Sequence, residues 1–214
     1  AQQPFNGKVS NFKIFNVELT QDQVRELYHN PEQVLPTGVS ASNLRRHYPL
    51  SDYNDTGGTG GRYFQDMGAD GKAVEDLGSA SMAFAQPVPC PQLGLQQSAT
   101  RLYFPGASTQ TSATIPALGA TASISAWFFW DDSARVSYVT SVGDAGSNTN
   151  GLNIRINTSG DVTTNLNGEF DSGLNVTEGT WNHIVVTTQS SSPYWKCFVN
   201  NVEASSPAAL TGAI

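Results

Sequence analysis

From Arg101 onward, strand-length segments recur about ten to twelve residues apart, with no helix between them. They are Arg101–Phe104, Ser112–Ile115, Ala122–Trp130, Val136–Val142, Leu152–Asn157, Val162–Leu166, Trp181–Thr188 and Tyr194–Asn200. Turn text separates them at Asp144 to Gly151, Thr158-Ser159-Gly160-Asp161 and Glu178-Gly179. That spacing predicts an antiparallel sandwich or barrel. Alternation in Ile124-Ser125-Ala126-Trp127-Phe128-Phe129-Trp130 is imperfect, which suits a strand buried between two layers or one with a partly exposed aromatic face.

The 214 residues are ample for a hydrophobic core without disulfides or metal. Only 14% of residues are charged and the net charge is -7. Nucleic-acid affinity rests on clustered Lys and Arg, so this balance opposes such a partner, and an anionic membrane likewise. The basic doublet Arg45-Arg46 reads as strand-edge charge. No apolar run reaches the length of a membrane span, and the N-terminus lacks the basic-then-apolar order of a signal peptide. Cys90 and Cys197 lie far apart with no CxxC or Cys/His neighbour, which excludes the zinc pattern and favours buried thiols over a long-range disulfide.

The N-terminal region reads differently. Gly7 to Phe15 is a strand entering from a Gly turn, with Phe12 and Ile14 on one face and Val9 out of phase. Thr20 and Gln23 form a capping box, Leu19 and Val24 a hydrophobic staple, and Asn30-Pro31 stops the resulting helix of about ten residues. Its stripe of Val24, Leu27 and Tyr28 must dock on something larger, because so short a helix is unstable alone. Residues 37–42 are small and polar, as in a linker, and Leu44 to Leu50 reads as a strand. Asp52 to Gly61 is a loop, and residues 62–97 form an extended wrapping segment with isolated short strands. Pro87, Pro89 and Pro91 favour a polyproline-like connector there.

Three strands then carry a family likeness. Ser123-Ile124-Ser125-Ala126-Trp127-Phe128, Trp181-Asn182-His183-Ile184-Val185-Val186-Thr187 and Phe198-Val199-Asn200-Asn201 resemble consecutive signature strands of laminin-G-like domains, in family order. Asn201 stands where Gly is usual, a departure that the left-handed tolerance of Asn accommodates. Leu102-Tyr103-Phe104-Pro105-Gly106 is similar to the preceding strand of that family, and Leu44 to Asp52 to its opening strand. Phe5 to Tyr28 resembles the family's closing strand and helix, so an ending precedes a beginning. The resemblance implies an all-β, concanavalin A-like antiparallel jelly-roll sandwich with one short helix. Residues 1–36 end a preceding domain or complete this or a neighbouring sandwich, 37–42 link, and 43–214 form a sandwich lacking its usual C-terminal strands. The linker text also looks similar to laminin-G-bearing structural proteins of marine phages and related viruses.

Catalytic chemistry is hard to place. Some concanavalin A-like folds are glucanases with paired acids on one strand. The nearest text here, Glu169-Phe170-Asp171, sits among turn residues. The three histidines are separated, and His183 occupies a position where the family keeps a structural His. Gly57-Gly58-Thr59-Gly60-Gly61 lacks the Lys and helix of a phosphate loop. Laminin-G-like domains sometimes hold calcium at the sandwich rim. Asp144 with Asn148 and Asn150, or Asp131-Asp132, would supply hard oxygen ligands, but turns use the same residues, so no ligand is assigned. Trp127 to Trp130 could stack a sugar on one face only, the other facing the core.

The expectation is therefore a non-enzymatic structural or adhesion module on a virion surface or extracellular assembly. It would act through other protein subunits, with no catalytic residue, no cofactor, no nucleic acid and no membrane insertion. A glycan-binding module for surface glycans is the alternative, and a secreted glycoside hydrolase a weaker one.

Overall fold

The computed structural model describes residues 6–49, 54–55, 62–64, 66–71, 74–76, 83–85, 101–105, 111–112, 121–131, 133–143, 151–165, 169–189 and 195–204. In chain order these form β1 (Asn6–Phe15), α1 (Gln21–His29), a 3-10 turn (Ala41–Asn43), β2 (Leu44–Tyr48), β3 (Asn54–Asp55), β4 (Arg62–Phe64), β5 (Val74–Asp76) and β6 (Ala83–Ala85). There follow β7 (Arg101–Pro105), β8 (Thr111–Ser112), β9 (Ala122–Trp130), β10 (Ser137–Gly143), β11 (Gly151–Ile156), β12 (Asp161–Asn165), β13 (Glu169–Asn175), β14 (Trp181–Thr188), β15 (Trp195–Val199) and β16 (Val202–Glu203). No helix among the described residues is long and apolar enough to cross a membrane.

Every described strand pair is antiparallel. An eight-stranded sheet runs β16-β15-β14-β9-β1-β7-β6, with β2 also paired to β1. One four-stranded sheet runs β10-β11-β12-β13, and another of short strands runs β3-β4-β5-β8. β1 is an interior strand. β9 flanks it along one side, while β7 pairs with residues 6–9 and β2 with residues 12–15 on the other.

The phase problem in β1 has a local cause. Its register against β9 shifts between Ser10 and Lys13, and Asn11 takes a left-handed φ of 47°. Asn adopts that conformation at low cost. The resulting bulge puts Val9 and Ile14 into the same core, although plain alternation separates them.

That core lies between the large sheet and β10–β13. Ile124, Ala126, Phe128, Trp130, Ile184, Val186 and Val199 meet Val142, Ile154, Ile156 and Val162 from the opposite sheet. The second face of the large sheet is covered too. Phe15, Leu19, Val24, Leu27, Leu44, Val185 and Phe198 form one outer cluster, and Trp127, Phe129 and Trp181 another, against which Tyr28 packs. Both faces of β9 are dry, so all nine of its residues are buried and its alternation is blurred.

α1 holds this outer layer. Thr20 caps it, Gln23 returns the bond to the Thr20 N–H, and the Asn30 N–H closes on Glu26 O. Ser123 Oγ of β9 donates to Val17 O at 2.7 Å and accepts from Leu19 N–H at 3.0 Å, fixing the chain as it enters the helix. Each fully buried apolar side chain contributes roughly 1.5–3 kcal/mol, so Leu19, Val24 and Leu27 together outweigh the weak intrinsic stability of nine helical residues.

Two expectations are corrected. Glu169-Phe170-Asp171 opens strand β13 and is not a turn. Arg46 is not strand-edge charge: its side chain is fully buried, with Nη1 2.6 Å from Asp70 and 3.2 Å from Asp66. The cause is the 66–71 segment, which lies along β2 through Met67 N–H to His47 O and Ala69 N–H to Leu44 O. Gly68 lets it approach, since a Cβ there would sit 2.6 Å from Arg45 O.

Candidate functional site

The aromatic run of β9 is the first place to seek a sugar-stacking surface. All four rings are buried. Phe128 and Trp130 enter the inter-sheet core, while Trp127 and Phe129 point to the outer face. There Tyr28 stacks on Trp127 with ring centroids 5.6 Å apart, and Trp181 meets Phe129 edge-on at 5.8 Å. The run is structural.

Beside it, four strands bring polar groups together under α1. Register places His47 of β2 opposite Lys13 of β1, and Lys13 opposite Ser125 of β9. His183 of β14 bonds through Nε2 to Ser125 Oγ at 3.0 Å and stacks on Trp127 at 4.9 Å. Lys13 Nζ donates to Gln33 O at 2.7 Å and Pro31 O at 3.3 Å, tying down the turn that follows the helix. Asn11 links His47, through Oδ1, to Glu32, through Nδ2.

Burial governs the electrostatics here. It lowers Lys13 to about 8, against an opposing pull from the Glu32 carboxylate. It lowers His47 and His183 to about 3, helped by the Lys13 charge. A hydroxyl, an imidazole and an ammonium group thus sit close together. Yet an imidazole so hard to protonate is a poor base, and the cluster is closed to solvent. Its chemistry is that of a tie.

The solvent side of the β10–β13 sheet is organised differently. Register aligns Tyr138, Arg155, Thr163 and Asp171 in one row across all four strands. A second row aligns Ser141, Asn153, Asn165 and Glu169. Arg155 Nε donates to Thr163 Oγ1 at 3.0 Å, and Ser141 Oγ bonds Asn153 Oδ1. Asp171 and Ser141 are exposed, and Tyr138 and Arg155 half-exposed. The face offers a phenol ring, a guanidinium group, a carboxylate and hydroxyls on a rigid support. Such a set can hydrogen-bond a polar partner or a polyhydroxyl ligand. Sequence reasoning missed these residues. Alternation in Asn153-Ile154-Arg155-Ile156 was the available signal, but the rows exist only through cross-strand register.

The anticipated calcium ligands are not brought together in the described residues. Asp131 is exposed, while Asp132, Asp144, Asn148 and Asn150 lie outside them, as do Cys90 and the glycines from Gly57 to Gly61. Among the described residues no group of three His, Cys, Asp or Glu side chains could hold a metal ion. Cys197 is a core thiol pushed up to about 12 by burial. The hairpin expected at Asn200-Asn201 joins β15 to β16. Both asparagines are left-handed, and Asn200 Oδ1 accepts from His183 N–H at 2.8 Å.

No curated protein and no solved structure matches the chain. A laminin-G family model of the concanavalin A-like lectin/glucanases superfamily matches residues 99–214, more than half of the 214 residues, and its region supplies β7 to β16. With that match, and with antiparallel sheets enclosing a common core, the chain belongs to the concanavalin A-like lectin/glucanases superfamily.

Proposed function

We propose that this chain is a non-enzymatic structural or adhesion module of a virion surface or extracellular assembly, acting through contacts with other protein subunits. One contrast supports the reading. The acid–base groups of the outer layer are enclosed as internal ties, whereas Tyr138, Arg155 and Asp171, aligned across the β10–β13 sheet with the buried Thr163 in the same row, reach solvent. Flat faces carrying Tyr and Arg suit protein partners, because both residues are enriched at interfaces. Sedimentation of the purified chain over a wide concentration range tests it, with Arg155→Glu and Asp171→Lys as probes. Self-association weakened by either substitution is the expected result. Reducing-end release from a panel of glucans would instead overturn the non-enzymatic reading.

A glycan-binding module is the second reading, favoured by the pairing of the half-exposed Tyr138 ring with Arg155, Thr163 and Asp171. A ring flanked by hydrogen-bonding groups can stack one sugar face and bond its hydroxyls. A glycan array with and without calcium separates it from the first. Signal abolished by Tyr138→Ala would favour the glycan.

A further inference from the structure

The layer formed by α1 and the Asn30–Gln33 turn rests on an unusual combination. Beneath it lie two buried imidazoles and a buried ammonium group, all on one face of one sheet. His47 Nδ1 and His183 Nδ1 have no hydrogen-bond partner among the described residues. The charged and titratable groups around them are few. β1 contributes Lys13, which is positive, and β9 contributes Ser125 and Trp127 beside His183. α1 contributes Tyr28, whose ring is 6.0 Å from His183, and His29 packed edge-on against Tyr28. Glu26 is engaged by the Thr37 N–H and by Gln33. The turn contributes Glu32, held by Asn11. Asp66 contacts the His47 backbone N–H, but its other oxygen serves Arg46. No carboxylate bonds either ring in the described structure.

We propose that this layer is an acid-released cover, held shut by neutral His47 and His183 and loosened when protons enter the pair beside the fixed charge of Lys13. A second positive charge next to Lys13 would lack both water and a carboxylate while the cover is closed. Lifting the cover hydrates both rings and separates them from Lys13. Acid therefore favours the open form, which bares the Trp127, Phe129 and Trp181 face that Tyr28 and α1 now cover. The hydrogen bonds from Lys13 Nζ to Pro31 O and Gln33 O are the contacts broken on opening.

The size of the effect follows from linkage. Each ring binds protons near 6.5 when hydrated and near 3 when enclosed. At pH 5 opening is then favoured about 30-fold per histidine, and about 1,000-fold for both. Lys13 falls to about 8 when enclosed, so between pH 7.5 and 5.0 it adds only a small slope.

Native-state hydrogen exchange of the full chain at pH 7.5 and 5.0, corrected for intrinsic rates, tests the proposal. Protection of the α1 amides of Leu27 and Tyr28 should fall at least 30-fold, and at both pH values it should stay weaker than that of Ile154, Ile156 and Val162 in the opposite sheet, which exchange only when the whole chain unfolds. Unchanged α1 protection, or α1 amides that exchange no faster than those three at pH 5.0, would overturn it. Each of His47→Gln and His183→Gln should cut the pH response of α1 by about 30-fold, the double variant should abolish it, and exposed His29→Asn should leave it intact. A response that vanishes in His29→Asn, or is undiminished in either glutamine variant that folds, also overturns it.

Discussion

Tyr28 of α1 lies over Trp127 of β9 with the two ring planes only 15° from parallel. A helix of nine residues and a sheet strand about a hundred residues away in sequence are joined through that contact. Tyr28→Ala removes the stack and opens one side of Trp127, leaving His183 as its remaining ring neighbour. The expected loss is about 2 kcal/mol in urea denaturation, below the full aromatic-to-alanine range because Tyr28 is only half-buried. Trp fluorescence should shift to the red. A loss below about 0.5 kcal/mol would show that the helix is held without the ring.

Arg46 sits with Asp66 and Asp70 inside the structure, and Arg45 shares Asp70 at 2.6 Å. Arg46→Met leaves Asp66 buried without its cation and should cost about 3–5 kcal/mol. Adding Asp66→Asn to that variant should recover part of the loss, since the orphaned charge is the main penalty. Chemical denaturation of the two variants measures the coupling. Equal stability of single and double variants would show that Asp66 is hydrated when its partner is gone.

Gly160 closes the turn between β11 and β12 at φ +87°, and a Cβ there would lie 2.7 Å from Val176 O. That carbonyl belongs to the same residue whose N–H bonds Gly160 O at 2.9 Å. Gly160→Ala must therefore strain the backbone and push β13 away from the turn. A cost of about 1–3 kcal/mol is expected, read from thermal denaturation, with exchange of the Val176 amide accelerated.

Global stability should fall as the pH drops, through the two buried imidazoles. Unfolding returns His47 and His183 to ordinary values, so the unfolded chain binds more protons between about pH 3 and 6.5. The histidine contribution is full above pH 6.5 and lost as pH falls below it, by about 2 kcal/mol per histidine at pH 5. Denaturant midpoints at pH 7.5, 6 and 5 check the sign. A flat profile would mean that the two rings are hydrated in the folded chain.

The chain wears part of its architecture openly. α1 was legible because Thr20 and Gln23 form a local capping box, a signal that needs no tertiary partner. β9 and β14 were legible because long apolar runs bounded by turn residues leave little choice. β13 was not. Its Asp171, Ser172 and left-handed Gly173 are turn residues, and only pairing with β12 makes them a strand. Arg46 misled for a related reason, since the carboxylates that permit its burial come from a segment twenty residues on. The solvent-facing row of Tyr138, Arg155, Thr163 and Asp171 is the extreme case. No spacing in the sequence joins four residues that touch only across strand register.

The position of β1 also sets an order of events during synthesis. It is paired along one side by β9, which the ribosome makes more than a hundred residues later. At typical elongation rates that delay is on the order of ten seconds. Through that interval Phe12, Ile14 and Phe15 have no β9 beside them, and the centre of the sheet cannot close until β9 emerges. An interior strand translated so far ahead of its neighbour makes folding wait on the later half of the chain, and it favours slow, non-local closure over local, stepwise growth.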